Sequence, residues 1–231
     1  MKCPTCQSEH LSKNGRRRGM QYFICNHCRK QFPAYHHPRG YPEEVKRNCL
    51  TMYLNGLRFR AIERVTGVHH TTIIHWVKQA ASALPDAPEV EKIPIVAQLD
   101  ELQTYVGREK NKIWLWTAVN QRASGILAWV IGDPSSKTFE PLWRIVESWR
   151  CAWHVTDGYV VYKSFIEAQE QVISKTKMTR VEGENCRLRH YLARLHRETL
   201  CYSKTVEMLK LSVRLLVHYL RTGIVHIPSL S

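Results

Sequence analysis

The chain has 231 residues, 44% of them hydrophobic and 10% aromatic, which is enough apolar surface to build a core and excludes disorder as its general state. Its 34 Lys and Arg outnumber its 20 Asp and Glu for a formal charge of +14, pointing to a polyanionic partner, with nucleic acid the commonest. Residues 123–132 are about half of the roughly 20 residues that a membrane helix needs. Cys3 and Cys6 stand where the apolar part of a signal peptide would start. The expectation is therefore a cytoplasmic protein without membrane association, whose eight cysteines are reduced or metal-bound.

The positive charge is concentrated at the front. Residues 1–41 carry eight Lys and Arg against Glu9 alone, and residues 42–85 carry six basic against three acidic. The remaining 146 residues hold twenty basic and sixteen acidic side chains, an ordinary globular balance.

The first segment, residues 1–35, contains Cys3-Pro4-Thr5-Cys6 and Cys25-Asn26-His27-Cys28. Two Cys-x-x-Cys knuckles at this separation match a zinc ribbon, in which four thiolates enclose one structural Zn²⁺. Four unrelated cysteines or a redox pair is the plainer alternative. Residues 21–24 supply a strand into the second knuckle, and Arg16, Arg17 and Arg18 sit at a hairpin tip from which they could reach phosphates. A Pro- and Gly-punctuated linker covers residues 33–42.

Residues 42–84 form a three-helix pattern over 43–55, 58–65 and 69–83, punctuated by Gly56 and Gly67. A short helix, a Gly turn and a second helix make a helix-turn-helix, whose second helix enters the major groove. The base-reading residues would be His69, His70, Thr71 and Thr72, with His75 and Lys78 one turn on. A plain helical hairpin is the bland reading.

A second linker, residues 84–88, leads into residues 92–231. Apolar patterning predicts strands at 93–99, 112–119 and 125–131, with a short extended segment at 104–106, then a helix at 135–149 and a strand at 152–155. There follow a helix at 162–169, a strand at 172–173, a long helix at 179–197 and an amphipathic helix at 203–221. This is an α/β order, a mixed five-stranded sheet with helices, and it is the order of a ribonuclease-H-like domain. The last helix, with Val206, Leu209, Val213, Leu216 and Leu220, either covers the sheet or joins two chains. Cys49, Cys151, Cys186 and Cys201 read as small buried apolar groups.

Asp100 and Asp157 each follow an apolar strand, at the edge where open α/β sheets bind ligands. Like charges brought side by side need a cation between them. A helix carboxylate, Glu182 or Glu184, would complete a site for two Mg²⁺ or Mn²⁺ ions of the kind that drives phosphodiester cleavage. At about 100° per residue, Glu182, Asn185 and Arg189 share one helix face.

The stretch Asp100-Glu101-Leu102-Gln103-Thr104-Tyr105-Val106-Gly107 resembles the transposase of the insertion sequence 1 family of bacterial mobile elements. So do Thr156-Asp157-Gly158-Tyr159, Val181-Glu182-x-x-Asn185, Leu192-Ala193-Arg194-Leu195 and Tyr202-Ser203-Lys204. The resemblance implies a DDE transposase with Asp100, Asp157 and Glu182 as catalytic metal ligands. Asp100 would bridge the metals, while Asn185 and Arg189 would lie near the scissile phosphate as positioning groups, an inference from helix spacing alone. A metal-activated water would free a 3′-OH at each element end, and that hydroxyl would attack a target strand. Double-stranded DNA is the implied partner, held by a homodimer or larger assembly. The family has Arg-His where this chain has Gly183-Glu184. A DNA-binding regulator with an inactive back domain is the alternative.

Overall fold

The computed structural model describes residues 1–35, 40–86, 93–196 and 199–227. It divides into two compact units, Met1–Pro42 and Glu43–Ser231. The linkers expected at 33–42 and 84–88 lie partly outside the described residues, as do the two ends of the segment 92–231.

The first unit is a three-stranded antiparallel sheet of β1 (Leu11–Arg17), β2 (Met20–Cys25) and β3 (Gln31–Pro33), in that order. Arg17 pairs with Met20, so the turn has two residues, Arg18 and Gly19, both at positive φ (50° and 78°). That backbone twist matches the right-handed twist of the flanking strands, and glycine adopts it at no steric cost.

In the second unit, α1 (Glu43–Leu54), α2 (Phe59–Thr66) and α3 (His70–Ser82) come first. α2 stops where Gly67 turns left-handed (φ 72°) and returns its N–H to the Glu63 carbonyl. The His69 ring then caps α3 by accepting from the Thr71 amide.

The five-stranded sheet is built from β4 (Val96–Val106), β5 (Arg108–Asn120), β6 (Ile126–Gly132), β7 (Trp153–Thr156) and β8 (Gln171–Ile173), ordered β6-β5-β4-β7-β8. The first three strands pair antiparallel, while β4–β7 and β7–β8 pair parallel. α4 (Ser136–Ser148) lies against one face through Phe139, Leu142, Trp143 and Val146, with Ala97, Leu99 and Trp116 beneath. α5 (Thr179–Tyr191) and α6 (Val206–Thr222) share the other core, which also holds Ile62, Ile73 and Val77 of the first three helices. The Tyr53 and Ser212 hydroxyls meet at 2.7 Å between α1 and α6. Of the apolar stripe of α6, Leu209, Val213 and Leu216 are buried inside the unit, Leu220 is half-buried and Val206 is exposed.

Several elements differ from expectation. The strand read at 93–99 and the extended segment read at 104–106 are one strand, because β5 pairs with β4 from Ala97 to Val106; Ile93 and Ile95 are exposed before it begins. The helix expected at 162–169 is only a single 3₁₀ turn, Tyr162–Ser164. The long helix expected at 179–197 ends at Tyr191, where Leu192 goes extended, and Ala193–Leu195 form a 3₁₀ turn. Cys49 and Cys151 are buried as expected, but Cys186 is exposed and Cys201 half-buried. Gly183 lies within α5, and a β-carbon there would meet nothing within 4 Å. Gly183→Ala should therefore raise unfolding stability by about 0.5–1 kcal/mol, read by urea denaturation.

Candidate active site and nucleic-acid interface

Strand alternation decides what β4 presents to each side of the sheet. Ala97 and Leu99 face α4, so Gln98, Asp100 and Leu102 face α5. Gln98 is buried and fastens α5 in place, donating to the Lys177 carbonyl at 2.6 Å and accepting from the Val181 amide at 3.0 Å. Asp100 comes two residues later. β7 pairs with β4 only as far as Gln98↔Val155, and carrying that register two residues onward brings Asp157 beside Asp100. The two aspartates thus meet just past the end of the parallel ladder.

Asp157 is set by its own turn, its Oδ1 accepting from the Tyr159 amide at 2.9 Å. Gly158 follows at φ 87°, where a β-carbon would lie 2.8 Å from the Ile173 side chain, so the turn requires glycine. On α5, Asn185 is buried and donates through Nδ2 to Asp100 Oδ2 at 2.8 Å. Thr117, paired with Asp100 across β4–β5, donates to Asn185 Oδ1 at 3.1 Å and so fixes which way the amide faces. Asn185, expected from spacing to lie near a substrate phosphate, here orients the Asp100 carboxylate and also lines the adjoining cavity.

A cavity of about 820 Å³ opens here, lined by Asp100, Glu101, Glu182, Asn185, Arg189 and His190 among others. Burial, with the charges of Asp157 and Glu182 nearby, pushes the Asp100 carboxyl up to about 6, against the opposing bond from Asn185. The charges of Asp157 and Glu182 thus both reach Asp100. Glu184 is not part of the group. It is 2% exposed, accepts from the Gly125 amide at 2.8 Å, and is bound by both contacts from Arg187 at 3.0 and 3.1 Å. Its work is to pin α5 to the β5–β6 turn.

One acidic residue escaped sequence reasoning. Glu101 lines the cavity and accepts from the buried Tyr162 hydroxyl at 2.6 Å. Burial and the Asp157 and Asp100 charges raise its carboxyl to about 7, despite that bond. The signal was its place next to Asp100, but its partner lies on another element and no spacing rule links them. Arg194, in the Leu-Ala-Arg-Leu stretch, is buried and donates to Ser203 Oγ at 2.7 Å. Its guanidinium lies 5.4 Å from the ring centroids of both Tyr53 and Phe59, a cation–π contact that ties the chain after α5 to α1 and α2.

In the N-terminal unit, the Sγ atoms of Cys3, Cys6, Cys25 and Cys28 all lie within 4.8 Å of one another. The Cys3–Cys28 and Cys6–Cys25 separations are 3.5 Å. A tetrahedral zinc with Zn–S of about 2.3 Å holds its sulfurs about 3.8 Å apart, so the set fits one Zn²⁺. The Cys28 backbone N–H is the largest influence drawing the Cys25 thiol down to about 6, which favours the thiolate that a metal needs. Arg16, Arg17 and Arg18 are exposed at the end of β1 and in its turn.

On α3, Ile73, Trp76, Val77, Ala80 and Ala81 are buried. His69, Thr71, His75 and Lys78 are exposed, whereas His70 and Thr72 are half-buried. Thr71, His75 and Lys78 share a face at helical spacing. Among the described residues, no helix is long and apolar enough to cross a membrane.

Residues 93–223 match the family described as IS1 transposase. The chain is also similar to curated insertion-element proteins. It is 34% identical over 126 residues to Insertion element IS1 protein InsB of Shigella flexneri, covering 54% of this chain and 94% of that protein. The InsB protein of Shigella sonnei is 33% identical with the same coverage. Insertion element IS1 9 protein InsB of Escherichia coli strain K12 is 33% identical over 126 residues, 74% of its length. A family match that spans more than half the chain, on the segment that carries the clustered carboxylates, places this protein in the IS1 transposase family.

Proposed function

We propose that this chain is a DDE transposase that binds the terminal inverted repeats of its element and carries out divalent-metal-dependent strand cleavage and transfer. The observation that supports this most is that the charges of Asp157 and Glu182 both reach the half-buried Asp100 carboxyl, which Asn185 holds in place. The sheet order, three antiparallel strands followed by two parallel to the first, agrees with a ribonuclease-H-like catalytic domain.

Three oxygen-donor side chains, two of whose charges raise the proton affinity of the third, Asp100, are suited to hard divalent cations. Asp100, Asp157 and Glu182 would hold two Mg²⁺ or Mn²⁺ ions. When bound, these would acidify the attacking water and stabilise the leaving oxygen. Around them the chain's own groups act by position. Asn185 keeps Asp100 turned toward the cavity, and Arg189 stands on the same wall, where its charge can neutralise a phosphate. Exposed residues of α3 and the Arg16–Arg18 tip would hold DNA, within a homodimer or larger assembly that brings two element ends together. The four-cysteine group would keep the N-terminal unit folded around zinc. The reading places the protein in the bacterial cytoplasm.

The two glutamates of α5 test this proposal. With a duplex carrying the element's end in Mg²⁺, Glu182→Gln should lose 3′-OH formation by at least about a hundredfold, close to 3 kcal/mol of barrier. Glu184→Gln should leave cleavage near wild type, since its amide can still accept from Gly125, and should cost about 1–2 kcal/mol of stability through the lost Arg187 pair. Cleavage that follows Glu184 rather than Glu182 refutes the assignment, and a wild-type chain that binds ends without cutting supports a regulator instead.

A further inference from the structure

The α2–α3 turn carries a second cluster of metal-type donors, separate from both the cysteines and the sheet-edge carboxylates. One donor atom each from Glu63, His69 and His70 lies within 4.8 Å of the other two. Glu63 Oε2 is 2.9 Å from His70 Nδ1, and Glu63 Oε1 is 3.7 Å from His69 Nε2. A tetrahedral ion bound at about 2.0–2.1 Å holds neighbouring nitrogen and oxygen donors about 3.3 Å apart, between those two separations. Closing on an ion needs only small side-chain shifts.

The surroundings suit such an ion. The His69 and His70 rings lie against each other at a tilt of 37°, with centroids 4.3 Å apart. His69 Nδ1 is 2.7 Å from Thr71 Oγ1. The same nitrogen caps α3 at 3.4 Å from the Thr71 amide; on binding an ion the ring exchanges that long contact for an Nδ1–H bond to Thr71 Oγ1, which leaves the Nε2 lone pair facing Glu63, the arrangement by which an outer hydrogen bond orients a metal-bound imidazole. The Glu63 and His70 side chains are 30% and 27% exposed and that of His69 is 60% exposed, so the cluster opens to water on one side. Two imidazoles and one carboxylate favour a borderline transition ion over Mg²⁺.

We propose that Glu63, His69 and His70 form a solvent-open site for a divalent transition ion of the Zn²⁺ or Co²⁺ class, its fourth position filled by water. An ion there clamps α2 to the first turn of α3 and engages His69 and His70, two of the residues that helix-turn-helix patterning offers to DNA bases. The clamp does not depend on that function.

The test uses the full chain reconstituted with Zn²⁺ and passed over a weak chelating resin, which leaves the tight four-cysteine site filled and empties weaker ones. Co²⁺ is then titrated in excess Mg²⁺, so that the carboxylate site is occupied. The expected result is one additional equivalent, seen as weak ligand-field absorption without a thiolate charge-transfer band. His69→Asn, which keeps a capping side chain for α3, and Glu63→Gln should each weaken this uptake by at least about tenfold, while Asp100→Asn should not change it. Circular dichroism melting of the variants verifies that α2 and α3 remain folded. Uptake that carries a charge-transfer band, that persists in both variants, or that is lost in Asp100→Asn overturns the proposal.

Discussion

Asp100→Asn is expected to reduce metal-dependent strand cleavage by three orders of magnitude or more, about 4 kcal/mol of barrier, while binding to the element's ends survives. The fold should tolerate the change. Asp100 is held at a cost, its carboxyl raised to about 6 by burial and by the Asp157 and Glu182 charges. An amide of the same shape removes that repulsion and still offers an oxygen to Asn185 Nδ2, which now donates at 2.8 Å. The metal-free melting temperature should therefore stay level or rise as activity disappears, the pattern expected where function keeps a group that folding disfavours. Cleavage in Mg²⁺ or Mn²⁺, end binding by gel shift, and melting in chelator measured on one preparation check all three. Residual cleavage near wild type would remove Asp100 from the chemistry.

Removing zinc, or Cys25→Ser, should unfold the Met1–Pro42 unit and leave Glu43–Ser231 standing. Among the described residues, the buried hydrophobics of the first unit are Cys3, Cys25 and Phe32. At about 1.5–3 kcal/mol for a fully buried large side chain, such a core cannot offset the conformational entropy of some 40 residues. Structural zinc sites contribute on the order of 10 kcal/mol. Amide NMR dispersion should collapse for residues 1–42 alone, and end affinity should fall with the loss of the Arg16–Arg18 tip. Wild-type protein should carry about one tightly held zinc per chain. A preparation with far less, yet with the first unit folded, would contradict the zinc assignment.

Much of this architecture was legible in the sequence because it is written locally. The cysteine knuckles, the glycine that ends α2 and the alternation along the central strands each depend on near neighbours. The mixed five-stranded sheet followed from that patterning. What was not legible depends on distant partners. Asp100 was read as ending a strand, but β5 carries β4 on past it, and only the shorter β7 makes that position an edge. The helix expected at 162–169 failed because Tyr162 and Ile166 are buried beside α4 while the chain between them makes a single 3₁₀ turn. Helical arithmetic grouped Glu182, Asn185 and Arg189, all of which line the cavity, yet it could not show Asn185 facing a carboxylate. Nor could spacing show that Glu184, the rival acid, is bonded to Gly125 and Arg187.

The Tyr53–Ser212 contact and the buried Arg194 between Tyr53 and Phe59 have a mechanical consequence. The helices offered to DNA and the sheet that carries the acids are welded into one body, so the span between them is a fixed gauge rather than a tether. If α3 reads one stretch of an element's end, the number of base pairs to the cut phosphate is set by this packing. Lengthening the connection between α3 and β4 would then leave the cutting distance unchanged, whereas a substitution at Arg194 would shift it.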